Sequence, residues 1–497
     1  MAVVEQLAQT TRGQEFLAKS HQLLINGEWV DAASGKTFAT VNPATGEELA
    51  QVAEGDQEDI NRAVAAARAA FDSGPWKDTT PNVRGKMLWK LSQLLEENLD
   101  TFAELETLDN GKALSISKAV DIPASIENFQ YMAGWATKID GRTMTLSTPG
   151  TYAFTRKEAI GVCGQIIPWN FPMLMAAWKL APALAVGCTV ILKPAEQTPL
   201  TALLLGELIL EAGFPPGVVN IVPGYGETAG AALSSHMDVD KVAFTGSTEV
   251  GKLILKAAAG SNLKKVTLEL GGKSPNVVFA DADLEGAIGG AATGIFFNQG
   301  QVCCAGSRLF IEKKAFDTVV GGLTDVANNM NIAPGMDAAC EMGPLVSDEQ
   351  FERVTGLVEQ GKSEGASAVC GGEPVDGPGY FYKPTILVDT KPDMSVIKEE
   401  IFGPVVTAIP FEDPNDIVAM ANDTEYGLAA GIWTNDLAKA HKTAAAIKAG
   451  SVWINCYNLF DPHMPFGGYK QSGIGREMGP EALENYLQTK SVCIATG

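Results

Sequence analysis

Apolar and polar positions follow two regimes, with the change near residue 157. Before it, residues 22–53 read as short strands and turns. Leu23-Leu24-Ile25 and Glu28-Trp29-Val30 flank Asn26-Gly27, a hairpin signal. Asp56 can cap a helix reaching about Asp72, with Ile60, Val64, Ala67 and Phe71 on one face. A second helix follows Pro81, and Leu88, Leu91, Leu95 and Leu99 form its stripe. These helices read as core, without chemistry.

After residue 157 strands and helices alternate. Ile160–Ile167 predicts a strand, Met173–Ala185 a helix and Thr189–Leu192 an apolar strand. Thr198 caps a helix that has Pro199 at its first position and runs to Glu211. Strand Val218–Val222 leads into a turn at Gly224 and Gly226 and a helix to about Ser235. Strand Lys241–Phe244, helix Glu249–Ala259 and strand Lys265–Leu270 follow. Residues 271–470 repeat the alternation. The strands there are Asn276–Phe279, Arg308–Ile311, Thr385–Val388, Val405–Phe411 and Ser451–Asn455. The helices start at Leu284 and cover Ala315–Asn328, Glu349–Glu364, Asn415–Asn422 and Leu437–Ala449. β-branched runs between helices imply parallel sheets covered on both faces, hence two α/β domains. Ligands in such sheets bind beyond the carboxyl ends of the strands. No internal repeat or low-complexity linker interrupts the pattern.

Composition narrows the function. A chain of 497 residues is too long for one core. Its net charge of −22 excludes a nucleic-acid or anionic-membrane surface, which needs basic patches. Eight scattered cysteines show neither metal-ligand spacing nor a disulfide framework, so no metal is expected and a reducing cytoplasm is. The N-terminus, with Glu5 and Arg12, has no apolar signal core. Met173–Leu192 is nearly all apolar, but Lys179, Pro182 and Gly187 break it into a buried helix and strand, not a membrane span.

The chemistry-bearing residues sit just after strands. Phe296–Arg308 crowds polar and aromatic residues around Cys303 and Cys304, with Gly300 allowing an unusual turn. One of these thiols could be a nucleophile beside an oxyanion site, or both could be small buried hydrophobes. Lys193 and Glu196 could hold ribose hydroxyls, the carboxylate repelling a 2′-phosphate; an exposed loop pair is the alternative. Gly246-Ser247 opens a helix whose free N–H groups could take a pyrophosphate, although it lacks the three-glycine fingerprint. Glu269, ending an apolar strand, is either a general base or a cap on the glycine turn. Asn170 could donate to an oxyanion or satisfy turn backbone. Glu400 precedes Phe402 and a Gly-Pro turn. Glu477, in a flexible glycine-rich loop, is a proton relay or a solvated glutamate.

Together these segments resemble the aldehyde dehydrogenase superfamily. The resemblance rests on Pro168-Trp169-Asn170-Phe171-Pro172, Lys193-Pro194-Ala195-Glu196, Gly246-Ser247-Thr248-Glu249-Val250-Gly251, Glu269-Leu270-Gly271-Gly272-Lys273, Gln299-Gly300-Gln301-Val302-Cys303, Glu400-Ile401-Phe402-Gly403-Pro404 and Pro465-Phe466-Gly467-Gly468. Within the superfamily the segments resemble those of the bacterial phenylacetaldehyde dehydrogenases. The resemblance implies a Rossmann-like NAD-binding domain (1–138 and 160–270), a catalytic domain (271–480) and a small β oligomerisation arm (139–159 and 481–497). In the arm, Met144–Ser147 and Thr151–Thr155 form a hairpin and Thr489–Ala495 a strand. It implies Cys303 as nucleophile, Glu269 as general base, Asn170 and the Cys303 N–H as oxyanion donors, and Glu477 as a further catalytic residue. NAD would meet Ile166, Trp169, Lys193, Glu196, Gly226, Gly246, Ser247, Val250, Leu270, Glu400 and Phe402. The substrate tunnel would be Phe171, Met175, Trp178, Phe297, Val302, Cys304, Asn458, Phe460 and Phe466. Expected partners are a small aldehyde, arylalkyl in kind, and further copies of the chain in a homodimer or homotetramer. His463 is given only loop packing or a tunnel-mouth contact. A coenzyme-A-acylating relative is disfavoured by Glu269, and a silent scaffold by the joint presence of Cys303, Glu269 and Asn170.

Overall fold

Five parallel strands form the centre of the first sheet, in the spatial order Lys265–Glu269, Lys241–Thr245, Val162–Ile166, Thr189–Lys193, Val219–Ile221. The hairpin Leu23–Ile25 and Glu28–Val30 extends it antiparallel beside Val219–Ile221. The chain winds outward one way from Val162–Ile166, then restarts on its other side at Lys241–Thr245. That reversal opens a crevice between the loops leaving these two strands. The structure is a computed structural model and describes residues 8–496; Glu5 lies outside the described residues, as do the other residues of 1–7 and residue 497.

The second sheet has seven strands, ordered Ser367–Cys370, Thr385–Val388, Val405–Phe411, Arg308–Glu312, Pro275–Val278, Ala429–Trp433, Ser451–Ile454, all parallel except the first. The expected two-domain α/β architecture is therefore present. The segment after the second sheet crosses back: Gly473–Ile474 pairs with Leu268 and Glu269 at the edge of the first sheet. A third sheet joins Leu487–Ala495 to Thr151–Ala159 over nine residue pairs, with Thr143–Met144 outside. Among the described residues, no helix is long and apolar enough to cross a membrane.

Local signals mostly act as expected. Asp56 and Asp59 form a capping box on helix Gln57–Asp72, whose buried face ends on Ala70, with Phe71 only half-buried. The second leucine stripe stops at Leu95, because Leu99 begins a new helix, Leu99–Asn110. Thr198 does not cap the next helix. Its hydroxyl is buried without a partner, and the Leu200 N–H donates instead to Asp109 Oδ2 from Leu99–Asn110. Strand Ala429–Trp433 and helix Ile122–Trp135 carry no expectation from sequence.

Candidate active site

Strand ends from both sheets meet around a cavity of about 840 Å³. Its lining includes Asn170 after Val162–Ile166, Gly246 and Ser247 after Lys241–Thr245, Glu269 and Leu270 after Lys265–Glu269, and Cys303 before Arg308–Glu312. Sulfur, carboxylate and amide, far apart in sequence, border one space.

The turn carrying Cys303 is left-handed at three successive residues, Asn298 (φ 48°), Gln299 (φ 57°) and Gly300 (φ 71°). A Cβ at 300 would lie 1.9 Å from Gly403 O, so only glycine fits. Side chains hold the strained pair. Asn298 Nδ2 donates to Asn170 O (2.9 Å) and Gln299 Nε2 to Pro344 O (2.8 Å). Cys303 is half-buried on the cavity, and Cys304 is buried with its thiol donating to Asn458 Oδ1 (3.5 Å). The Cys303 thiol is pushed well above its ordinary range, first by its hydrogen bond with Cys304 and then by burial. Among the described residues, no acceptor takes the Cys303 N–H. Asn170 Nδ2 donates to Gln301 O (2.9 Å), which leaves its second hydrogen free.

Glu269 is 5% exposed and its Oε2 has no hydrogen-bond partner. Burial raises its proton affinity well above the usual carboxylate range, and the Glu477 charge adds to this, while the Lys179 ammonium opposes it. Glu477 is not solvated and its loop is not free. Phe466 and Glu477 exchange both backbone hydrogen bonds at 2.7 Å, and Glu477 Oε1 receives a hydrogen bond from the fully buried Lys179. Lys179 also donates to Thr245 Oγ1 (2.6 Å). From sequence Lys179 only interrupts an apolar run. A lysine there needs a buried partner, which was the signal available.

On the side of the first sheet, Lys193 Nζ donates to Glu196 Oε2 (2.8 Å) at its strand's end, so these are paired rather than stray loop charges. Ser247 caps helix Thr248–Ala259 through the Val250 N–H. Glu400 Oε1 accepts from Gly272 N (2.8 Å), and burial lifts this carboxyl to about 7. A Cβ at 271 would fall 2.2 Å from Glu400 Oε2, so only glycine leaves room for that carboxylate. Phe402, at φ 61°, meets Trp169 edge to face with ring centroids 5.3 Å apart. Ile166, Lys193, Glu196, Gly226 and Val250 lie outside the cavity lining, at the carboxyl edge of the same sheet or the helix start beside it.

Phe171, Met175, Trp178, Phe297, Val302, Cys304, Asn458, Phe460 and Phe466 all line the cavity. Phe171 stacks on Phe297 (6.1 Å), and Trp178, Phe460 and Phe466 pack mutually at 5.5–6.3 Å. His463 stacks on Tyr131 (5.8 Å), while its neighbours Asp461 and Pro462 reach the lining.

Residues 29–492 match the sequence profile of the aldehyde dehydrogenase family. The chain is similar to mitochondrial aldehyde dehydrogenase of Homo sapiens, 52% identical over 475 residues, covering 95% of this chain and 92% of that protein. An aldehyde dehydrogenase of Bacillus cereus, solved as an NAD+ complex, is 52% identical with a TM-score of 0.97 over 98% of this chain and 99% of that one. A betaine aldehyde dehydrogenase of Staphylococcus aureus, solved with NAD+, is 41% identical with a TM-score of 0.95 over 99% of this chain and 98% of that one. The profile match and these full-length likenesses together mean that the chain belongs to the aldehyde dehydrogenase family.

Proposed function

We propose that this NAD-dependent aldehyde dehydrogenase oxidises a neutral arylalkyl aldehyde, such as phenylacetaldehyde, to its carboxylic acid through a thiohemiacetal and thioester on Cys303. The observation that carries the reading is the single cavity bordered by Cys303, Glu269 and Asn170 and walled by aromatic rings. The residues present fit a dinucleotide. Glu196 and Lys193 suit the adenosine ribose, and the carboxylate disfavours a 2′-phosphate. The N–H groups at Ser247 suit the pyrophosphate, and the buried Glu400 beside the gap at Gly271 suits the second ribose.

Sulfur attacks the carbonyl carbon as thiolate, so a base must take the Cys303 proton. Glu269, with a free Oε2 in the same cavity, is that base. The oxyanion receives the spare Asn170 amide hydrogen and the Cys303 N–H, donors worth about 3 kcal/mol each. When bound, NAD supplies the hydride acceptor that turns the thiohemiacetal into a thioester. Glu269 gives up the thiol proton before hydrolysis and, ionised again, removes a proton from water. Hydroxide adds to the thioester carbonyl, the C–S bond breaks, and Cys303 leaves as thiolate to recover a proton. Glu477, whose charge acts on Glu269, and Lys179, bonded to Glu477 and to Thr245 Oγ1, are the buried groups we assign to carry the Glu269 proton onward.

The aromatic wall supports an arylalkyl substrate. Glu127 and Asp461 border the same side of the cavity, and among the described residues its only lining Lys or Arg is Arg353, which donates to Glu400 O (2.7 Å). A second carboxylate on the aldehyde would find no countercharge. All eight cysteines are free, which supports a cytoplasmic setting. The test is formation of reduced cofactor from NAD and phenylacetaldehyde. Cys303→Ala is expected to abolish it, and full turnover in that variant would remove the mechanism. Turnover that required coenzyme A would assign the acylating class instead.

A further inference from the structure

We infer that Lys112, which does not line the cavity and reaches Asn170 only at its backbone oxygen, is a positioning residue for the oxyanion site: it fixes the Asn170 peptide so that the Asn170 amide faces the carbonyl held at Cys303. The inference rests on the oxyanion role proposed for Asn170.

Lys112 follows Gly111, whose φ of 95° ends helix Leu99–Asn110. Pro344 and Pro43 would each lie 2.9 Å from a Cβ at 111, so the turn is tightly clamped. The lysine is fully buried. Its Nζ donates to Asn170 O (3.0 Å) and sits 4.3 Å from the centre of the Phe171 ring. The same carbonyl receives Asn298 Nδ2 (2.9 Å), which comes from the strained turn before Cys303. Asn110 Nδ2 donates to Trp169 O (2.8 Å) one residue earlier. Asn170 is thus held at its backbone oxygen by Lys112 and Asn298, with Asn110 Nδ2 further off at 3.4 Å, and at its side chain by Gln301 O. Only the second amide hydrogen is left over.

A buried ammonium is a costly way to hold one carbonyl. Asp121 accepts from Lys112 Nζ, and Glu106 Oε1 lies 3.5 Å away. Glu106 Oε2 in turn accepts from Met173 N (3.3 Å) and Thr201 Oγ1 (3.0 Å), tying the cluster to the helix that follows Phe171. Well-packed apolar residues fill such space at least as stably. What they lack is a directional donor. In an oxyanion site, misplacement by about 1 Å can cost on the order of a hundredfold in rate.

A double-mutant cycle tests this, read as the single-turnover rate of reduced-cofactor formation. Lys112→Met is expected to lower that rate by roughly 10-fold to 100-fold, with the KM for NAD unmoved. Asn170→Ala is expected to lower it by about 100-fold to 1000-fold. In the Asn170→Ala background, Lys112→Met should cost less than about twofold, because groups acting through one another do not add. Equal losses in both backgrounds would overturn the inference, as would a Lys112→Met enzyme that melts earlier but reacts at the wild-type rate. If Lys112→Met does not fold, Asn298→Gly carries the same cycle. It removes the shortest of the three donors to the same oxygen, at a φ of 48°, which glycine adopts freely. Full rate in Asn170→Ala alone would remove the oxyanion reading, and this one with it.

Discussion

In the proposed mechanism Glu269 and its two charged neighbours set the pH range of turnover. A buried carboxyl with raised proton affinity is ionised only as pH climbs through that raised value, so turnover rises with pH on its acid side. Lys179 pulls the value down and Glu477 pushes it up. Lys179→Met is therefore expected to move the acid limb of the kcat profile to higher pH, and Glu477→Gln to lower pH. Shifts in the reverse order would mean that these charges do not act on the base. Glu269 and Asn170 stand out in the sequence because each ends or follows a strand with glycine or proline two residues away; Cys303 stands out by its polar, glycine-containing turn, and the structure places it before a strand, Arg308–Glu312, where the sequence pattern predicts a place after one. The Lys179–Glu477 pair was not legible there, since 298 positions separate its members and only the fold joins them.

Most strands and helices declared themselves through periodicity, and the exceptions have physical reasons. Ala429-Ala430-Gly431-Ile432-Trp433 is a central strand with few residues of high β-propensity; it is specified by parallel partners on both sides, Pro275–Val278 and Ser451–Ile454. The glycine-rich stretch near the C-terminus reads as flexible because glycine permits motion, yet here it permits close approach. A Cβ at 473 would lie 2.1 Å from Leu268 O. Ser472 clamps this crossing: its Oγ donates to Gly271 O (2.7 Å) and accepts from Gly427 N (2.9 Å), and its carbonyl accepts from Leu270 N (2.9 Å). Ser472→Ala would leave two backbone groups unpaired in the interior, at a cost of about 2–3 kcal/mol. A urea melt should show that loss, and the KM for NAD should rise because Leu270 and Gly271 line the cavity. An unchanged midpoint would mean that the loop is held some other way.

At the scale of the molecule, the third sheet is the part least able to stand alone. Directly opposed pairs Tyr152 and Ile494, and Phe154 and Val492, put four apolar side chains on one face of a thin sheet. Tyr152 and Ile494 are each 45% exposed, and the Tyr152 and Phe154 rings lie 6.0 Å apart. On the alternate face Ala153 is buried, while its partner Cys493 is exposed. An apolar stripe of this kind is a contact surface awaiting a partner. We propose that another copy of the chain covers it, giving a homodimer or homotetramer. Light scattering should then report two or four times 52.4 kDa. Tyr152→Asp with Ile494→Asp places two carboxylates face to face at that contact, where neither finds a countercharge. The variant should sediment as a smaller species than wild type. A wild-type chain that runs as a monomer, or a double variant that keeps the wild-type mass, would show that this stripe does not hold copies together.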